Sequence, residues 1–256
     1  MVVVHWIDLK NTWTEPADPS FLHSLSCIPP SERVAVSKFH FRRDASTHLA
    51  SLILQHSTIA RLANIPYPKT HIRRSEHGRP YPSIINPPFD YNVSHHGSCV
   101  AIGVRDSPPL RIGIDLVDLS SAGPADVNDF RDVFAPQECS AISRSHSPRV
   151  LFSYWALKEA YTKALGLGLV TENLQSIVFS NVPPIDFSSN PYSAAITCSV
   201  DNIPLNWRFE LFALSESLLL AVATPADNLE FDKPTSVSRI TLSDLLQLAQ
   251  PFPHDH

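Results

Sequence analysis

The chain has 256 residues, 43% of them hydrophobic and 18% charged, with a net charge of −5. That length suits one large domain or two smaller ones, with apolar residues enough for a sizeable core. The acidic balance excludes a generally basic nucleic-acid binder, and no run approaches the roughly eighteen apolar residues of a membrane span. The opening MVVVHWIDLKN lacks the basic leader of a secretory signal. Cys27, Cys99, Cys139 and Cys198 are scattered without a C-x-x-C pair. They suit reduced packing thiols in a cytoplasmic protein.

VVVHWIDL (Val2–Leu9) has the composition of a strand. Residues 30–80 then hold nine Lys and Arg against three acids, a local charge of +6 that leaves −11 for the rest. Such a segment suits an anionic ligand or partner, or else a solvated helix face. Within it, FHFRRDASTHLASLILQHSTIARLAN places Leu49, Leu52, Ile53, Ile59 and Leu62 near helical spacing. HIRRSEHGRPYP (His71–Pro82) reads as a basic loop that would accept phosphate. YNVSHHGSCVAIGV (Tyr91–Val104) reads as two strands around a polar turn, with Ser94 and His95 near the turn.

Pro108–Arg111 is a candidate boundary, after which the same order of elements returns. RIGIDLVDL (Arg111–Leu119) is a strand, FSYWALKEAYTKALGLGL (Phe152–Leu169) a helix, and WRFELFALSESLLLAVAT (Trp207–Thr224) a strand pair. The expected fold is therefore α+β: two similar halves, each an antiparallel sheet packed on a long helix. The expected divisions are 1–108, 109–225 and a tail, 226–256, with one short helix capped by Ser243 and a frayed His-Asp-His end.

In RIGIDLV, alternation puts Ile112, Ile114 and Leu116 on one side and Gly113, Asp115 and Val117 on the other. Gly113 leaves room for something to approach the backbone beside Asp115. In the second helix, Tyr154, Leu157, Tyr161, Ala164 and Leu165 form the expected core stripe, with Phe152, Trp155, Glu159 and Lys163 opposite. Glu159 and Lys163 are i,i+4 neighbours. Asp115 and Glu159 together would make a small oxygen site for Mg²⁺, which takes one or two carboxylates and completes its shell with water and phosphate. Neither a P-loop, a Rossmann fingerprint nor H-E-x-x-H occurs, so the twelve histidines do not make a zinc-hydrolase signature.

GIDLVD, RDVFAPQE (Arg131–Glu138) and YWALKEAYTKALGLGL, with NVSHHG and GRPYP upstream, resemble the signature of 4′-phosphopantetheinyl transferases, in the larger monomeric, surfactin-synthetase-activating type. The resemblance covers roughly residues 1–225. It implies transfer of 4′-phosphopantetheine from coenzyme A to a serine of an acyl or peptidyl carrier domain, with release of 3′,5′-ADP. It also implies a pseudo-twofold arrangement of the halves, with coenzyme A and Mg²⁺ in the cleft between them. By position, Asp115 and Glu159 would hold the metal, and Glu159 would assist deprotonation of the carrier serine, directly or through water. Lys163 would neutralise phosphate charge. Lys158, Ser94, His95, Arg33 and Arg74 would contact the coenzyme, with Gly78, Arg79 and Pro80 along its adenine. Val117 stands where some members carry a further acid. A non-catalytic coenzyme or carrier binder is the alternative, and the intact set Asp115, Lys158, Glu159 and Lys163 speaks against it.

Overall fold

The computed structural model describes residues 1–15, 18–84, 87–120, 127–145, 147–167, 173–184, 196–226 and 235–253. The first half runs β1 (Val2–Asp8), α1 (Pro19–Ser26), α2 (Pro30–Ser37), α3 (Arg42–Ala63), β2 (Ile72–Arg74), β3 (Pro80–Pro82), β4 (Asp90–His96) and β5 (Cys99–Arg105). The second runs β6 (Gly113–Asp118), α4 (Pro136–Ser145), α5 (Pro148–Leu165), β7 (Ile177–Ser180), β8 (Thr197–Val200), β9 (Ile203–Pro204), β10 (Trp207–Ala213) and β11 (Leu218–Pro225). The chain then forms β12 (Ser236–Arg239) and α6 (Leu242–Leu246).

Two main sheets repeat one connectivity. In the first, β1 pairs antiparallel with β5, which pairs antiparallel with β4. In the second, β6 pairs antiparallel with β11, which pairs antiparallel with β10. Each half thus joins its opening strand to the far arm of its own hairpin, with the long helix in between. The fold is α+β with antiparallel sheets, as the element order requires.

The layers follow from alternation along the strands. Ile7, Val100, Ile102 and Val104 face α3, where they meet Leu49, Leu52, Ile53 and Ile59. Val4, Trp6 and Ala101 point the other way and pack with Ile112, Ile114, Leu116, Leu220 and Val222 of the second sheet. The remaining side of that sheet, with Val117, Phe209, Leu219 and Ala221, packs against Tyr154, Leu157 and Tyr161 of α5. The order is helix, sheet, sheet, helix. Each fully buried large side chain contributes about 1.5–3 kcal/mol by leaving water. One apolar seam lies within each half, and the third joins the two sheets.

Residues 235–253, within the segment expected to be a tail, pack on the first half. β12 lies parallel to β1, with Val237 opposite Val4. Leu245 is buried in the α3 core, and Phe252 stacks edge-on against His56 and Tyr67. The short helix is capped by Thr241 rather than Ser243: the Asp244 amide donates to Thr241 Oγ1, and Asp244 accepts from the Thr241 amide. Either hydroxyl could cap by spacing, and the box closes two residues earlier because an acid stands three residues after Thr241. The terminal His-Asp-His lies outside the described residues. Among those described, no helix is long and apolar enough to cross a membrane.

Candidate active site

β6 is an edge strand of its sheet, and its outward amides need acceptors. β4 supplies them from side chains. The amides of Ile112, Ile114 and Leu116 donate to Asp90 Oδ2 (2.9 Å), Asn92 Oδ1 (2.9 Å) and Ser94 Oγ (3.1 Å). This ladder of alternate residues joins the two sheets where they meet. It also delivers the Ser94 hydroxyl to Asp115, to whose Oδ1 it donates at 3.0 Å.

The opposite wall is α5. A Cβ on Gly113 would lie 1.9 Å from the Ala160 carbonyl oxygen and 2.5 Å from the Ala164 amide nitrogen. Only a residue without a side chain lets the helix lie that close. What approaches the strand at Gly113 is therefore α5 itself. The contact sets Lys163 Nζ 2.5 Å from Asp115 Oδ1 and 3.2 Å from Ser94 Oγ. Glu159 Oε2 is 4.0 Å from the same ammonium, one turn back. Gly166, in the left-handed region, ends the helix directly after this turn.

Ser94, Asp115, Glu159 and Lys163 thus form one constellation between the halves. Asp115 is 5% and Glu159 8% exposed. Burial first, and the Asp115 carboxylate second, push Glu159 above the ordinary carboxylate range, with Lys163 opposing them. Two buried carboxylates that face one ammonium and repel each other favour either a shared proton or a further cation. The donor set fits Mg²⁺, which needs few protein oxygens when phosphate supplies others. His95 follows Ser94 at the end of β4. Desolvation of its ring, and then the Lys163 ammonium, hold it below the usual imidazole range. His48 on α3 is lowered likewise by desolvation, then by Arg74 and His95. Desolvation thus favours the neutral ring at both histidines, and α3, β2 and β4 bring His48, Arg74 and His95 within electrostatic reach of one another.

The other predicted residues divide. Arg74 Nη1 donates to the Gly78 carbonyl at 3.2 Å within the β2–β3 turn, where Gly78 has φ +79°. Arg79 reaches across the halves, donating to Asp90 Oδ2 (2.8 Å) and to the Ile112 carbonyl (2.9 Å). Pro80 begins β3 beside it. Arg33 donates to the Ile28 and Ser26 carbonyls at 3.0 and 3.1 Å.

Lys158 is not with Glu159 and Lys163. It is 1% exposed and donates to Glu138 Oε2 at 2.8 Å and to the carbonyls of Leu174 and Ile177. Glu138 also accepts from the amides of Ala135 and Phe179. The pair ties α5 to α4 and β7. On α5 the expected core stripe of Tyr154, Leu157, Tyr161 and Ala164 is buried, and burial extends beyond it. Ala156, Ala160 and Thr162 are buried as well, and Trp155 packs edge-on to Phe130.

Sequence reasoning missed Asp90, Asn92, Glu138 and His48. The first two had a signal: polar residues at 90, 92 and 94 alternate with Tyr91 and Val93. Glu138 had only its place in RDVFAPQE, and His48 had none.

Comparison with known proteins bears on this arrangement. Residues 11–106 match a family model described as the N-terminal part of 4′-phosphopantetheinyl transferase, and residues 111–223 match one for the 4′-phosphopantetheinyl transferase superfamily. The chain is 29% identical to the L-aminoadipate-semialdehyde dehydrogenase-phosphopantetheinyl transferase of Schizosaccharomyces pombe, over 93% of this chain and 96% of the relative. The Xenopus laevis protein of the same name is 27% identical, over 97% and 87%. A 4′-phosphopantetheinyl transferase 1 of Fusarium mangiferae is 30% identical over 71% and 73%. The names of these relatives are those of the larger eukaryotic type, and none of them speaks to a surfactin-activating subtype. The chain belongs to the 4′-phosphopantetheinyl transferase superfamily, enzymes that move phosphopantetheine to carrier protein domains.

Proposed function

We propose that the chain takes the phosphopantetheine of coenzyme A in the cleft between its halves and transfers it to the serine of an apo acyl or peptidyl carrier domain, releasing 3′,5′-ADP. The observation that carries this reading is the meeting of Asp115, Glu159, Lys163 and Ser94 where the sheets join. Asp115 and Glu159 would hold Mg²⁺. When bound, the ion supplies charge neutralisation on the pyrophosphate.

The chain's own residues have separable tasks. Phosphoryl transfer needs positioning and positive charge more than covalent help from protein. Lys163 brings its ammonium to the reacting phosphate, and Ser94 holds Asp115 in orientation. His95 and His48 offer hydrogen bonds, and Arg74 positive charge, toward the coenzyme's phosphates. Gly78, Arg79 and Pro80 form the turn at the proposed adenine wall. Glu159, kept above the usual carboxylate range by burial and Asp115, is a suitable base for the carrier serine. Lys158 and Arg33 act by holding structure, through Glu138 and the backbone of residues 26–28.

Four free cysteines and the two-half architecture suit a cytoplasmic monomer. The test is intact-mass spectrometry of two unrelated apo-carriers incubated with the protein, coenzyme A and Mg²⁺. The expected result is one phosphopantetheine added per carrier, abolished by EDTA and strongly slowed by Glu159→Gln with coenzyme A binding retained. Transfer unaffected by both Asp115→Ala and Glu159→Gln would remove these residues from the mechanism.

A further inference from the structure

A second cavity lies far along α3 from the groups just described. His48 is in the first turns of α3, whereas this cavity is walled by the last turns: Leu54, Ser57, Thr58 and Arg61. β1 and β5 add His5 and Ile102, and the returning C-terminal segment closes it with Ile240 and Leu245. Its volume is 270 Å³.

The lining is graded. Leu54, Ile102 and Leu245 are buried and apolar at the inner end, while Arg61 and Leu248 are exposed at the mouth. Arg61 was one of the nine cations of the basic segment, and the catalytic constellation does not use it. Its guanidinium makes no hydrogen bond or ion pair with the described residues. Ser57 Oγ is buried and has no hydrogen-bond partner, a cost that a ligand oxygen could relieve after a rotamer change. Asp244 also stands at the mouth, but its Oδ2 is held by the Thr241 amide and hydroxyl. His5 is held by Ser238 at 2.8 Å. Burial and then the Arg61 charge keep His5 below the usual imidazole range, so it is neutral near pH 7 and adds no competing cation.

We propose that this cavity is a binding site for a medium-chain aliphatic carboxylate, with its tail among Leu54, Ile102, Ile240 and Leu245 and its carboxylate on Arg61. A guanidinium accepts a carboxylate through two parallel hydrogen bonds and is lightly hydrated, which favours this head group at a half-covered mouth. A 150 Å³ apolar cavity takes a molecule the size of benzene, so 270 Å³ corresponds to about ten or eleven non-hydrogen atoms. Octanoate has that size. The inference does not depend on the transferase reading.

The test is calorimetric titration of the full chain with octanoate and, separately, 1-octanol, each with and without saturating coenzyme A. For a ligand of this size a Kd of about 0.1–1 mM is expected. Arg61→Met, an exposed change, should weaken octanoate about tenfold, leave octanol unchanged and leave transfer activity intact. Ser57→Leu, which fills the cavity, should abolish both, with circular dichroism checking that the variant is folded. Equal octanoate affinity in wild type and Arg61→Met would overturn the proposal. So would displacement of octanoate by coenzyme A, or absence of saturable binding.

Discussion

Two lysines on one helix, five residues apart, sit in carboxylate pairs of opposite character. Lys158 and Glu138 are closed off: their side chains are 1% and 0% exposed, and Glu138 accepts from two backbone amides as well as from the lysine. Lys163 and Asp115 are also close, but the lysine remains 26% exposed, and a second carboxylate, Glu159, stands beside them with only a 4.0 Å contact to the ammonium. The first pair satisfies its charges internally. The second leaves one carboxylate under-compensated, which burial makes costly unless a proton or cation arrives. A lysine's place in a motif therefore says less about its role than whether its partner's remaining oxygens are already taken.

Removing one member from each pair should separate the two characters. Lys158→Ala leaves Glu138 buried with its charge unmatched and should cost about 3–5 kcal/mol in urea unfolding. A Glu138→Leu, Lys158→Met double variant should recover much of that loss. Glu159→Gln should instead lower the transfer rate about 10²- to 10³-fold in single-turnover mass spectrometry, without destabilising the fold. If Lys158→Ala proved as stable as wild type but inactive, the contrast between the pairs would collapse.

The contact that creates the second pair can be tested alone. Gly113→Ala should cost about 1–3 kcal/mol, because the new methyl meets the backbone of α5. The helix must then move away from Asp115, so activity should fall alongside stability. Crystallography of the variant should show Lys163 farther from Asp115.

The smallest effect is one of pH, and its sign follows from Glu159. Its folded pKa is raised above the unfolded value of 4.5, chiefly by burial and then by Asp115. The protonated form is thus favoured by folding. This contribution to stability is complete below pH 4.5 and is lost as pH rises through the folded pKa. In metal-free protein, Glu159→Gln should therefore be more stable than wild type at neutral pH, and the advantage should vanish near pH 4. Denaturant melts of both proteins across pH 4–7.5, a window set around that unfolded value, would measure it.

Much of this was readable in the chain. Period-two alternation assigned Asp115 to the face of β6 opposite Ile112 and Ile114. Helical spacing made Glu159 and Lys163 neighbours, and turn residues marked both hairpins. These are short-range consequences of backbone geometry. The tertiary structure alone decided the rest. It brought Lys163 to Asp115 by pressing α5 onto Gly113, and it turned Lys158 to Glu138. It also folded residues 235–253 back onto β1 and α3, completing the cavity beside Arg61. Those outcomes depend on which surfaces meet across the fold, and no local periodicity encodes the partner of a side chain twenty residues or more away.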